Sequence, residues 1–141
     1  MRHTSFVALA ILASVLAGCH GSPTTPGVSI HDETSPLQSG RWSSGPACLT
    51  VTESAADLYS GCWHGHFARP RVSSDGKFTV EGTYRFEAGP VTNETGYAAR
   101  FVGSMSGETL NLTVERTDQS IPPVSFAVTL SGEGNCAQLC L

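Results

Sequence analysis

Two histidines in the run His64-Gly65-His66, and four cysteines at Cys48, Cys62, Cys136 and Cys140, have the types and spacing that could do chemistry. In an extended strand, residues two apart point the same way, so both imidazoles could meet one Zn²⁺ or Cu²⁺. A closed site needs a third ligand, and the sequence places neither a carboxylate nor a further histidine beside them. The expectation is two solvent-facing histidines near a strand end, with no bound metal and no cofactor. An even set of cysteines in an exported chain reads as two disulfides, which leaves no free thiol for nucleophilic attack. There is no Gly-x-Ser-x-Gly elbow, no Gly-rich phosphate loop leading into a helix and no close carboxylate pair. No catalytic residue is assigned, and the function expected is binding, not catalysis.

A fifth cysteine, Cys19, ends the stretch Leu16-Ala17-Gly18-Cys19. The uncharged run Phe6 to Ala17 precedes it and spans only ~18 Å as a helix, too short for a hydrocarbon core of ~30 Å. Residues 1–18 therefore read as a secretory leader and not as a membrane span. The motif resembles the lipobox of bacterial lipoproteins. That resemblance implies cleavage before Cys19, diacylglycerol on its sulfur and an acylated (palmitate-type) amine, a stable anchor because several chains are attached. His20 stands where an Asp would favour inner-membrane retention, which implies a place in the cell envelope, at the outer membrane facing the periplasm if the cell is Gram-negative.

The whole chain carries 8 basic and 12 acidic side chains, a net charge of −4. The leader removes Arg2 and no acid, so the remainder is more acidic still. Mild acidity with no basic stripe excludes nucleic acid as the expected partner and leaves the lipid itself as the membrane contact. Residues 19–39 hold three prolines, many Ser and Thr and no hydrophobic period, and read as a lipidated cysteine on a flexible tether. Residues 40–141 are enough for one domain.

Those residues alternate with period two. Phe78, Val80, Gly82, Tyr84 and Phe86 share one face of the clearest strand, with Lys77, Thr79, Glu81, Thr83, Arg85 and Glu87 on the other. Tyr97, Ala99, Phe101, Gly103 and Met105 form the next inward set. Leu110, Leu112 and Val114 follow, then Val124, Phe126, Val128 and Leu130. Short turns such as Asp75-Gly76 join half-apolar strands, which predicts an all-β antiparallel meander of seven or eight strands. Closure removes exposed edges, so an up-and-down barrel is expected, with a two-sheet sandwich as the alternative. Gly82, Ala99 and Gly103 among inward rings give those rings room.

Facing constrains the disulfides. A two-residue hairpin at Ser54-Ala55 opposes Leu49 to Ser60 and Val51 to Leu58, which turns Cys62 inward and Cys48 outward, so the two do not bridge each other. Cys62 then joins Cys140 or Cys136 in the tail, and Cys48 takes the other.

Gly40-Arg41-Trp42 resembles the Gly-x-Trp of lipocalins, in which Trp seals one barrel end. The runs Leu49-Thr50-Val51, Gly61-Cys62, Lys77 to Tyr84, Ala99 to Gly103 and Leu110 to Val114 resemble a group of uncharacterised exported bacterial proteins. That group has a cysteine after the second strand and one near the C-terminus, which favours Cys62–Cys140 with Cys48–Cys136. The expected function is a membrane-anchored envelope binding module with an unknown protein partner. Carriage of a small apolar ligand and inhibition of an envelope-directed hydrolase are the alternatives. Trp63 to Arg71, Ala88 to Thr95 and Thr117 to Pro123 are its expected contact loops. Arg41, Arg69, Arg71, Arg85 and Arg100 read as a solvated face.

Overall fold

Alternation at period two turns each strand of this chain into a ribbon with one apolar face, and the ribbons roll up to hide it. A computed structural model describes residues 33–87, 95–133 and 136. The leader, Cys19, His20 and His31, most of Ala88 to Thr95, and Cys140 lie outside the described residues.

The strands are β1 (Ser35–Pro36), β2 (Gly40–Ser44), β3 (Ala47–Val51), β4 (Ala55–Ser60), β5 (Trp63–Ala68), β6 (Arg71–Val72), β7 (Lys77–Phe86), β8 (Tyr97–Ser106), β9 (Thr109–Arg116) and β10 (Val124–Gly132). Eight of them close an antiparallel barrel in the order β10-β2-β3-β4-β5-β7-β8-β9. Closure comes from β10 against β2, where Leu130 opposes Trp42. This is the expected barrel, and the sandwich is excluded. Successive strands run up and down, so one end, the lower, carries the turns at 52–54, 69–76 and 107–108. The upper end carries those at 45–46 and 61–62 and the connections after Phe86 and after Arg116.

The interior is filled with rings. Phe67 stacks on Phe101 with centroids 4.1 Å apart, and Trp63 on Tyr84 at 4.9 Å. The glycines opposite make room, as the sequence implies. A methyl group on Gly103 would stand 2.1 Å from the Phe78 ring, and one on Gly82 would stand 2.3 Å from the His66 carbonyl oxygen. Gly65, which the alternation does not single out, is pressed the same way by Phe101. Burial of Tyr84 is deep enough to push its hydroxyl up to about 12.

Five expectations are corrected. The first hairpin turns at Glu53-Ser54 and not at Ser54-Ala55, because Thr52 and Ala55 close it: the Thr52 amide donates to the Ala55 carbonyl at 2.8 Å, and the Thr52 hydroxyl bonds the same residue's backbone. Leu49 therefore faces Leu58, and Val51 faces Ala56. The slip is two residues, an even number, so facing is preserved.

Cys62 is not on a strand face. Gly61-Cys62 is a two-residue turn, with Gly61 at φ +57° as such turns require. Trp63 to Ala68, expected as a contact loop, is therefore strand β5, a wall of the barrel.

The tether also ends sooner than Ser39. β1 pairs with β6 beside the lower end, and Leu37, the one large apolar residue there, is buried in the core at 3% exposure. Arg69 and Arg71, expected as solvated, fasten this strap. Arg69 Nε donates to the Leu37 carbonyl and Arg71 Nη2 to the Thr34 carbonyl, both at 2.9 Å. The Trp42 indole donates to the Gln38 carbonyl at 3.0 Å, so the Trp seals this end against the strap.

Cys48 points outward, as expected, and is bonded to Cys136 across a sequence separation of 88. Cys136 lies on the outer wall there: its amide donates to the Thr50 hydroxyl at 2.8 Å, and it is buried. Cys62 is disulfide-bonded too.

Candidate functional site

Two regions gather polar side chains. On the outer wall, cross-strand pairing of β4, β5 and β7 sets Asp57 beside His66, Tyr59 beside His64, and His64 beside Arg85. Both histidines share a face, as expected, but only His66 is solvent-facing, the His64 side chain being 11% exposed. Asp57 Oδ1 lies 2.8 Å from His66 Nδ1 and 3.1 Å from His64 Nε2. The other nitrogen of His64 meets Glu87 Oε1 at 3.0 Å, and Arg85 Nε donates to that same oxygen at 2.6 Å. Tyr59 stacks on the His64 ring, with centroids 4.4 Å apart. Burial pushes the Glu87 carboxyl up, but the hydrogen bonds from Arg85 and His64 outweigh it and hold the group below its usual range. Burial, and then the Asp57 and Glu87 charges, raise the Tyr59 hydroxyl. Carboxylates engage both nitrogens of His64. Among the described residues, no group of three or more His, Cys, Asp or Glu is placed to hold a metal. This cluster is a polar patch locked into the wall.

The second region is a cleft at the upper end, between β8, the end of β9 and the connection to β10. It encloses about 410 Å³ and is lined by Arg100, Glu115 and Arg116 on one side and by Thr117, Gln119, Ile121, Pro122 and Pro123 on the other. Of the expected contact loops, Thr117 to Pro123 is the one described throughout, and it forms this wall.

Local chemistry fixes its shape. Thr117 anchors the loop with its amide and its hydroxyl, both donating to the Ala98 carbonyl at 3.0 Å. Asp118 Oδ1 accepts from the Ser120 amide at 3.1 Å, an Asx-type turn, while the Gln119 amide donates to the Arg116 carbonyl at 3.1 Å. Gln119 closes the turn at φ +53°, a conformation costly for a residue with a side chain. Pro122-Pro123 then releases the chain into β10 with no amide hydrogen toward the cleft. The Ser120 amide is the largest influence holding the Asp118 carboxyl below its usual range; desolvation opposes it and Arg116 assists.

Arg116 is the residue the sequence reading missed. Its side chain is only 7% exposed. Its guanidinium carbon lies 3.5 Å from the centre of the Tyr97 ring, and Nη2 donates to Asp118 Oδ2. Nε is buried with no hydrogen-bond partner, the only such buried side-chain nitrogen or oxygen among the described residues. The signal was present: Leu110, Leu112 and Val114 face inward, and Arg116 is the next position in that series. Arg100, expected on a solvated face, lies at the cleft and is held loosely, 3.4 Å from Glu81 and 3.8 Å from Glu115. The cleft therefore offers guanidinium groups on one side and an apolar Ile-Pro-Pro wall on the other, with Tyr97 standing 42% exposed beside it.

No family model, curated protein or solved structure matches the chain.

Proposed function

We propose that this protein is a lipid-anchored lipoprotein of the cell envelope whose barrel is a rigid, non-enzymatic binding module, and that it meets its partner through the upper-end cleft. The observation that carries the reading is the cleft itself: a 410 Å³ hollow whose wall is the Thr117–Pro123 loop, held by a strained Gln119 and two consecutive prolines. Strain kept in a surface loop is a mark of function more often than of stability. The anchor rests on the lipobox resemblance of Leu16-Ala17-Gly18-Cys19, and the stretch from His20 supplies reach from the bilayer.

Carriage of an apolar ligand inside the barrel is the weaker reading. Phe67, Phe78, Phe101, Tyr84 and Trp63 occupy the interior, and Gly82 and Gly103 are already in contact with those rings or the adjoining backbone.

Two measurements test the proposal. Radiolabelled palmitate should enter the wild type and not Cys19→Ala; equal labelling removes the anchor. A photocrosslinking side chain introduced at Ile121, in the cleft, should capture an envelope protein in whole cells. The same side chain at Thr79, exposed on β7 well below the upper rim, should not. Equal capture from both positions would reject the cleft as the contact surface.

A further inference from the structure

The guanidinium of Arg116 is half used. A planar guanidinium presents Nε–H and one Nη–H on the same edge, a fork that matches the two oxygens of a carboxylate. Asp118 reaches only the Nη2 side of that fork. Nε stays buried and unpartnered, a state that costs free energy and is rare in folded proteins. Arg116 cannot relax outward, because it is stacked on Tyr97 and almost enclosed. Asp118, by contrast, is 44% exposed and sits on the loop that forms the cleft wall.

We infer that the cleft recognises the carboxylate of an amphipathic ligand, that Arg116 is its anchor, and that Asp118 is an internal stand-in which the ligand displaces. The inference rests on the proposed binding function and names the chemistry of the same site. A ligand carboxylate takes both arms of the Arg116 fork and gives Nε its missing acceptor, while Asp118 gives up only its Oδ2 contact and keeps Oδ1 on the Ser120 amide that shapes the loop. Arg100, held by two long contacts to Glu81 and Glu115, adds a second positive group at the mouth. Ile121, Pro122 and Pro123 take the apolar body, so acid and hydrocarbon are read on opposite walls. Glu115 lines the same cleft and disfavours a ligand with a second negative charge, which selects a single carboxylate over a phosphate.

The test is an NMR titration of the ¹⁵N-labelled protein that follows the Arg116 Nε–H signal. The probes are 4-phenylbutyrate, its neutral amide, and a short acetylated peptide ending in leucine with either a free or an amidated C-terminus. Acids should shift the Nε–H signal saturably, and the amides should not. Arg116→Lys keeps the charge but loses the fork, and binding should weaken at least about tenfold, as for a lost charge-assisted hydrogen bond. Asp118→Asn removes the competing charge and should tighten binding about two- to fivefold, the worth of an exposed ion pair. Binding of the free-carboxylate peptide assigns the ligand to a protein terminus. Binding of phenylbutyrate alone assigns it to a free amphipathic acid, and either result supports the inference. Equal binding of acid and amide, or binding unchanged in Arg116→Lys, overturns it. Crosslinking from Ile121 that persists in Arg116→Lys would separate the outcomes, leaving the binding module in place and removing carboxylate recognition.

Discussion

The two ends of this barrel are held by different physics. At the lower end Trp42 and Leu37 are buried in the core, Val72 packs against it, and the strap's carbonyls are tied down by Arg69, Arg71 and the Trp42 indole. Burial and hydrogen bonds suffice there. At the upper end the inward position on β9 is an arginine, the neighbouring ring Tyr97 is half exposed, and a cleft enters between strands. Beside the Trp63–Tyr84 stack, that end also carries covalent ties. Cys48 lies one residue from the upper tip of β3, Cys62 lies in the upper turn between β4 and β5, and both are disulfide-bonded. The polar cleft interrupts the packing at this end, and the Cys48–Cys136 crosslink ties the outer wall there.

Removing the Cys48–Cys136 bridge should have the largest effect. Closing a loop of 88 residues restricts the unfolded chain by on the order of 4–5 kcal/mol in the chain-entropy model. The paired variant Cys48→Ala with Cys136→Ala should lose that much in urea unfolding. It should also exchange amide hydrogens faster around Ala47 to Thr50 than around Leu37 to Trp42. Loss spread evenly over both ends would break the contrast.

Trp42→Ala should come next, at about 3–4 kcal/mol, because a 3%-exposed indole leaves a cavity and orphans the Gln38 carbonyl. The damage belongs to the lower end, so the titration response of Arg116 to 4-phenylbutyrate should survive wherever the variant remains folded. A lost response with the fold intact would mean that the ends are coupled. Leu37→Ala should cost about 2–3 kcal/mol in the same denaturation, from a smaller buried side chain at the same end. A loss below about 0.5 kcal/mol would make the strap an ornament and not part of the core.

Legibility in the sequence follows the same division. Strict alternation from Phe78 to Phe86 and from Tyr97 to Met105 makes the barrel readable, because period two has no competitor over ten residues. The outward direction of Cys48 was readable by parity, and it survived a wrong turn position because the slip was two residues. β5 reads only in part: His64 and His66 share the outer face of an extended stretch, but a glycine between Trp63 and Phe67 interrupts the inward apolar series, so the run resembles a strand end opening into a loop. It needs the Phe101 ring against Gly65 to explain itself. The strap hid for a related reason, since a single leucine among Ser, Pro and Thr gives no period. Of the site, Ile-Pro-Pro marks the loop, but Arg116 does not stand out, because a charged residue at the end of an apolar series reads as the strand's exit to solvent. Tertiary stacking on Tyr97 is what turns it back in, and stacking across strands leaves no trace in local sequence.

The smallest expected effect is also the most discriminating. Tyr97 is 42% exposed, so Tyr97→Ala gives up little buried area and should cost only about 0.5–1 kcal/mol, the worth of one partly exposed cation–π contact. At the lower end a change of this kind, Trp42→Ala, is destructive. The two aromatic rings differ in what they are for: Trp42 fills space, while Tyr97 holds the Arg116 guanidinium flat beside the cleft. Tyr97→Ala should therefore leave the urea midpoint almost unmoved and yet weaken 4-phenylbutyrate binding, because a guanidinium released from its platform loses the orientation of its fork. Tyr97→Phe keeps the ring face and should restore binding. A Tyr97→Ala protein that binds the acid as tightly as the wild type would show that burial alone positions Arg116, and the upper end would then differ from the lower only in its charge.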